Sequence, residues 1–269
     1  MNNTNWGTSK QATLARYRKR ENLIGTSFDL GSPTVIEAAT AVYLDWCILD
    51  WEHALWNDTN LPVAIQNLAH SPMLCIVRVP HITGPWITKA LDWGADGVLV
   101  PNIRDISEAR ICVEQAKYAP LGHRGVGAYR PSNFYTELNS YVRTGNESTL
   151  LWLMVEKASL VDHLEEVCSL PGIDGFMIGR NDLAQSLGYA YADHSKKIDI
   201  LAQKAMDICV AAGKSVGCFS GDPEEVLRWA SLGVNLLTVG DDAQFIRDGM
   251  AMVASQLGAA QQETIKKEY

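Results

Sequence analysis

The chain has 269 residues, 47% of them hydrophobic, and a formal net charge of −8. A chain of that length buries a sizeable core, either in one large α/β domain or in two small ones. The acidic balance argues against a broad nucleic-acid or anionic-membrane surface, since both need a cationic face, so neither partner is expected.

In chain order, the first 22 or so residues read as an N-terminal helical extension whose basic cluster "RYRKR" is a solvated helix face. No apolar h-region for secretion stands in this segment, which points to a cytoplasmic protein. Short β-rich apolar runs then alternate with longer segments of helical periodicity. The predicted strands are "LIGTSFDL" (23–30), "DWCILD" (45–50), "MLCIVRV" (73–79), "GVLVP" (97–101), "LLWLMVE" (150–156), "GFMIG" (175–179), "KSVGCFS" (214–220) and "LLTVG" (236–240). Helices are predicted at "SPTVIEAATAVY", "DISEARICVEQAKYA", "DHLEEVCSL", "HSKKIDILAQKAMDICVAAG" and "DPEEVLRWASLG". Several open on a Ser or Asp cap, and two close on Gly213 and Gly233. Residues 122–147 form a long connection, and 241–269 a C-terminal helix with a polar tail.

Eight such units with fully apolar strands predict a single (β/α)₈ TIM barrel spanning residues 1–269, of the α/β class. The rival, a doubly wound sheet, wants a G-x-G-x-x-G turn after its first strand, and the sequence has none there. Cys47, Cys75, Cys112, Cys168, Cys209 and Cys218 form no C-x-x-C pair and no zinc spacing. They read as reduced, buried thiols.

In a barrel the loops after the strands converge on one mouth. Strand two delivers Asp50, Glu52 and His53 there, strand three Arg78, strand five Glu156, and the loop after strand six Arg180, Asn181 and Asp182. Each alone is an ordinary loop residue or helix cap. Together they suit a divalent-metal site with an acid–base group and an anion clamp. The two hard oxygen ligands Glu156 and Asp182 fit Mg²⁺, Mn²⁺ or Co²⁺. In "GRNDLAQSLG" the chain turns through Gly179 into a helix, presenting backbone N–H groups near Asn181 and Asp182 to a carboxylate or phosphate.

The strings "GTSFDLGSPTVIEAATAVYLDWCILDWEHAL", "VRVP", "ALDWGADGVLVPNI", "YAPLGHRGVG", "VEKAS" and "GIDGFMIGRNDLAQSLG" follow one another in order. From about residue 22 to residue 257 the chain resembles the HpcH/HpaI aldolase family of metal-dependent, class II pyruvate aldolases. The resemblance implies that Glu156 and Asp182 bind the metal and that Arg78 touches the keto oxygen and stabilises a pyruvate enolate. Gly179, Asn181 and Asp182 then hold the carboxylate of the 2-oxo acid. It makes His53 the acid–base group with Asp92 as its partner, and places Asp50 and Glu52 around metal-bound waters. The implied reaction cleaves or forms 4-hydroxy-2-oxo acids from a 2-oxo acid and an aldehyde. Decarboxylation of oxaloacetate-type acids, or another carbon–carbon bond formation by the same enolate, is the rival within enzymes; a binding barrel without catalysis and a lyase of CoA thioesters are rivals outside it.

Trp51 and Met154 depart from the residues common at their positions, a small or aliphatic side chain and a glutamine, and so alter the aldehyde side of the mouth. In the long connection, Arg124 and Arg130 are candidates for a distal carboxylate of the aldehyde, with surface ion pairing as the alternative. Tyr129, Phe134 and Tyr135 either line that pocket or pack at a subunit contact. The resemblance also implies a homo-oligomer, a hexamer built as a trimer of dimers with exchanged terminal helices.

Overall fold

A computed structural model describes residues 9–189 and 196–267, with side chains to residue 258. In chain order the elements are α1 (Lys10–Arg18), β1 (Leu23–Phe28), α2 (Pro33–Ala39), β2 (Trp46–Asp50), α3 (Leu61–Leu68), β3 (Leu74–Arg78), α4 (Trp86–Asp92), β4 (Gly97–Val100), α5 (Ile106–Ala116) and α6 (Leu138–Ser148). They continue with β5 (Leu150–Val155), α7 (Ala158–Val161), α8 (Leu164–Cys168), β6 (Gly175–Ile178), α9 (Arg180–Ser186), α10 (Lys196–Ala211), β7 (Ser215–Ser220), α11 (Pro223–Ser231), β8 (Leu236–Asp241) and α12 (Asp242–Lys267). The strands pair in parallel and in sequence order, β8 returning to β1, so the expected TIM barrel is the fold.

Every residue of β2, β4, β5 and β6 is buried, as strands covered on both faces must be. Ser32, Asp105 and Asp222 cap α2, α5 and α11 by accepting from N–H groups of the first turn. Gly213 and Gly233 follow α10 and α11 with φ of 71° and 95°, a left-handed conformation that closes a helix cheaply only at glycine. The tail from residue 259 and the segment 190–195 lie outside the described side chains.

One expectation changes. The long connection ends in α6, whose sequence "LNSYVRTGNES" is poor in strong helix formers. Tertiary contacts support it: Asn146 Oδ1 accepts from Tyr118 N at 2.7 Å, and Asn146 Nδ2 donates to Tyr118 O at 2.9 Å. Gly145 lies so close to the Tyr118 ring that a Cβ there would sit 2.8 Å from it.

The floor of the barrel interior is aromatic. Trp46 and Trp152 meet edge to face at 5.2 Å, and Tyr17 of α1 stacks on Trp152 at 5.9 Å. Tyr17 Oη donates to Asp174 O at 2.7 Å and accepts from Trp152 Nε1 at 2.9 Å, so the ring buries without an unpaired hydroxyl. Gly25 makes room for this packing, because a Cβ there would fall 2.2 Å from the Trp46 ring. α1 therefore covers the N-terminal end, and among the described residues the barrel opens toward the C-terminal ends of its strands. Among the described residues no helix is long and apolar enough to cross a membrane.

Candidate active site

At that open end lies a cavity of about 490 Å³ lined by His53, Arg78, Gly179, Arg180, Asn181 and Asp182, over a floor of Ile48, Leu99, Met154 and Met177. Period-2 alternation explains the delivery from β2: Asp50 and Glu52 turn toward the mouth while Trp51 turns outward. Asp50 and Arg78 are register partners of β2 and β3. Arg78 Nε donates to Asp50 Oδ1 at 2.7 Å and Nη2 to Asp50 Oδ2 at 2.6 Å, a two-pronged pair. Asp50 Oδ1 also accepts from the N–H groups of Glu52 and His53 at 3.1 and 3.3 Å. Asp50 is thus occupied in aiming Arg78 and shaping the turn that carries Glu52 and His53.

Glu156 sits buried behind Gly179, where a Cβ would come within 3.3 Å of its Oε2. Its Oε1 accepts from the backbone N–H of Asn102. Asn102 Nδ2 donates to Glu52 Oε1 at 2.9 Å, so one residue after β4 ties two carboxylates together. It does so with φ of 61°, uncommon for a residue other than glycine and more frequent at functional positions. Asn102 is absent from the residues singled out in the sequence; its one signal is an amide directly after the strand-ending "VP", while its left-handed backbone is a property of the fold.

The electrostatics follow from burial and crowding. Burial pushes Glu52 up to about 7, with the charges of Glu156, Asp50 and Asp182 adding to the rise and Arg78 opposing it. Glu156 is raised by burial and by Asp182, against the Asn102 hydrogen bond and Arg78. Arg78 is raised because Asp50, Glu52 and Glu156 outweigh its burial. The mouth therefore carries more negative charge than its arginine offsets.

Arg180 faces the cavity, but Nη1 donates to Glu225 at 2.8 Å and Nη2 to Asp199 at 2.6 Å. His53 is two-thirds exposed at the rim, its Nε2 3.6 Å from Glu52 Oε2. Four sequence expectations need correcting within the single chain. Asp92 does not pair with His53: it ends α4, on the outer layer, and accepts from Arg124 Nη2 at 2.7 Å. Trp51 is buried against Trp86 and Trp93, with centroids 5.2 and 5.4 Å away, because the alternation that sends its neighbours inward sends it out. Arg124 is fully buried over the Tyr118 ring, and Arg130 Nη1 reaches only Trp93 O at 3.4 Å. None of these four lines the cavity; Asp50, Glu52 and Glu156 do not line it either, but reach it through their contacts with or beside the lining residues Arg78, His53 and Gly179.

The HpcH/HpaI aldolase/citrate lyase family model matches residues 28–248. The chain is 28% identical over 237 residues to the hydroxypyruvate/pyruvate aldolase of Cupriavidus necator, covering 88% of each. It is 30% identical over 236 residues to the 2-keto-3-deoxy-L-rhamnonate aldolase of Escherichia coli K12, covering 87% of this chain and 88% of that one. The crystal structure of a family protein from Burkholderia cenocepacia J2315 superposes with a TM-score of 0.85 at 28% identity, covering 91% of this chain and 98% of the other. With the barrel, the ordered motifs and these matches in agreement, the chain belongs to the HpcH/HpaI aldolase/citrate lyase family and is an enzyme of the lyase class.

Proposed function

We propose that the protein is a divalent-metal-dependent aldolase that cleaves or forms 4-hydroxy-2-oxo acids through a pyruvate enolate. The observation that carries this reading is the set of crowded carboxylates Glu52, Glu156 and Asp182 beside one arginine at the barrel mouth. The donors fit Mg²⁺, Mn²⁺ or Co²⁺: they are oxygen atoms, Glu156 is buried and Glu52 and Asp182 half-buried, and their mutual repulsion is what a cation relieves. Glu156 and Asp182 would hold it as two ligands, with no third His, Cys, Asp or Glu grouped with them among the described residues. Bound there, the cation supplies Lewis-acid polarisation of a keto oxygen.

The chain's own groups do the rest. Arg78, aimed by Asp50, donates to the enolate oxygen and so favours the developing charge. The first-turn amides of α9 beside Asn181 and Asp182, which have no partner inside the helix, face the carboxylate. Glu52, held near neutrality, suits a group that takes and returns a proton through water. His53, at the solvent rim, moves the proton of the aldehyde-derived hydroxyl. The apolar floor of Ile48, Leu99, Met154 and Met177 keeps water from reaching the enolate from below. Two relatives named as aldolases of 2-oxo acids support the reading.

The same reading takes the protein as a cytoplasmic homo-oligomer, a hexamer by resemblance. Six unpaired buried cysteines support a reducing compartment. Exposed Met250, Met252, Val253 and Leu257 on α12, with Tyr129 and Phe134 in the long loop, support a covering subunit. The deciding experiment is deuterium exchange at C3 of pyruvate, followed by NMR on chelator-stripped protein with and without Mg²⁺, Mn²⁺ or Co²⁺. Metal-dependent exchange is expected; none with any of the three overturns the proposal.

A further inference from the structure

The cavity has a second wall, made by β7, β8 and β1, that the enolate chemistry leaves unused. It is lined by Ser27, Asp29, Phe219, Ser220, Thr238 and Asp241. The alternation of β8 faces Thr238 inward and would bring Gly240 next, yet Asp241 reaches the cavity. The register between β1 and β8 slips between Gly25 and Ser27, so that Ser27 pairs with Asp241, and Gly240 takes φ of 60° at the irregularity. Such a bulge re-aims a side chain.

Asp29 is fixed from behind. Its backbone N–H donates to Asp242 Oδ1 at 2.8 Å and that of Leu30 to Asp242 Oδ2 at 3.3 Å, and Asp242 is buried. Asp29 Oδ1 accepts from Ser27 Oγ at 2.6 Å, and Asp241 Oδ1 from Gln244 N at 2.8 Å. The Oδ2 atoms of both aspartates accept no hydrogen bond among the described residues. Among the described residues no Lys, Arg or His stands on this wall. The cavity's two arginines are committed away from this wall, Arg78 to Asp50 and, in the proposed reaction, to the enolate oxygen, and Arg180 to Glu225 and Asp199. Ser220 Oγ is spent on Glu225 Oε2 at 2.7 Å.

We propose that this wall is the aldehyde subsite and that it selects an uncharged, hydroxyl-bearing aldehyde, with Asp29 and Asp241 accepting hydrogen bonds from its hydroxyl groups. The inference rests on the aldolase reading and names its second substrate class. An ionised carboxylate accepts and does not donate, so it pairs with hydroxyl donors. A distal carboxylate or phosphate on the aldehyde meets two like charges and no free cation, and like-charge juxtaposition is strongly unfavourable.

The test is aldol condensation with pyruvate and the activating metal, measured as kcat/KM across glycolaldehyde, glyceraldehyde, succinic semialdehyde, glyceraldehyde 3-phosphate and an aminoaldehyde of matched length. The hydroxyaldehydes are expected to be favoured over both anionic ones by at least about tenfold. In the double variant Asp29→Asn, Asp241→Asn that preference shrinks by about tenfold, read as the ratio of neutral to anionic substrate. A role in folding alone would lower both substrates together and leave the ratio in place. Anionic aldehydes as good as neutral ones, an unchanged ratio in the variant, or a preference for the aminoaldehyde each overturn the proposal. Pyruvate exchange in the same samples separates the two readings: with exchange present, a failed preference sinks only the subsite assignment, whereas absent exchange removes the aldolase reading and this one with it.

Discussion

The two ends of the barrel follow opposite rules. At the N-terminal end the charged and polar side chains are mostly paired: Arg16 with Asp45, Lys10 with Asp96, and Tyr17 with both Asp174 and Trp152. At the C-terminal end Glu52 and Glu156 crowd around Arg78, which Asp50 already holds, with Asp182 close to both, while Asp29 and Asp241 face each other's charge on the opposite wall. The first arrangement stabilises the chain, while the second raises its energy until something positive or hydrogen-bonding arrives. Stability therefore resides at the closed end and function at the open one, as barrel architecture allows.

Four substitutions or conditions sharpen this contrast. Glu156→Ala should lower metal-dependent pyruvate exchange by roughly 10³-fold, since it removes a cation ligand. Thermal unfolding of the metal-free variant should stay level or rise, because like-charge repulsion is relieved; a large fall in Tm would place Glu156 among the structural residues. At the other end, Trp152→Ala should cost about 4 kcal/mol of stability in denaturant unfolding, the usual range for emptying a buried aromatic site. A cost under about 1 kcal/mol would mean the floor collapses freely.

Asp50→Ala leaves the Arg78 guanidinium, one-fifth exposed, without its two-pronged partner. The expected loss is about 3 kcal/mol, joined by a fall in kcat at nearly constant KM if Arg78 acts on the enolate rather than on binding. The smallest effect is on pH. Because burial pushes the folded Glu52 carboxyl up to about 7 from an ordinary value of 4.5, the folded state binds the extra proton between those values. That contribution to stability is present at low pH and is lost as pH rises through about 7. Metal-free protein should therefore lose stability from pH 5.5 to 8, and Mg²⁺ should restore it chiefly at the upper end. A rise in metal-free stability over that interval would contradict the crowding described here.

Much of this was legible beforehand. All eight strands lie where apolar runs were bounded by turns, because parallel strands covered on both faces leave an uninterrupted signature. The places of Arg78, Glu156 and Asp182 at the mouth were legible because Arg78 ends β3, Glu156 follows β5 and Asp182 lies in the first turn after β6, where position along the chain already implies position at the mouth. What failed were residues outside that rule. Arg124 and Arg130 sit in a connection whose path no periodicity encodes, and Trp51 was read by its neighbours rather than by its own parity. Asn102 and Asp241 escaped for a different cause: a left-handed backbone at one and a register slip at the other set their direction.

By itself, the sequence determined the barrel, the order of its strands and the family, because hydrophobic period and residues adjacent to strand ends are local properties. Only the tertiary structure decided which polar groups meet: Asp50 with Arg78, Asp92 with Arg124, Glu52 with Asn102, and Asp29 beside Asp241. Pairing across a closed barrel depends on register and bulges, which sum small backbone rotations over many residues and leave no mark at any one of them.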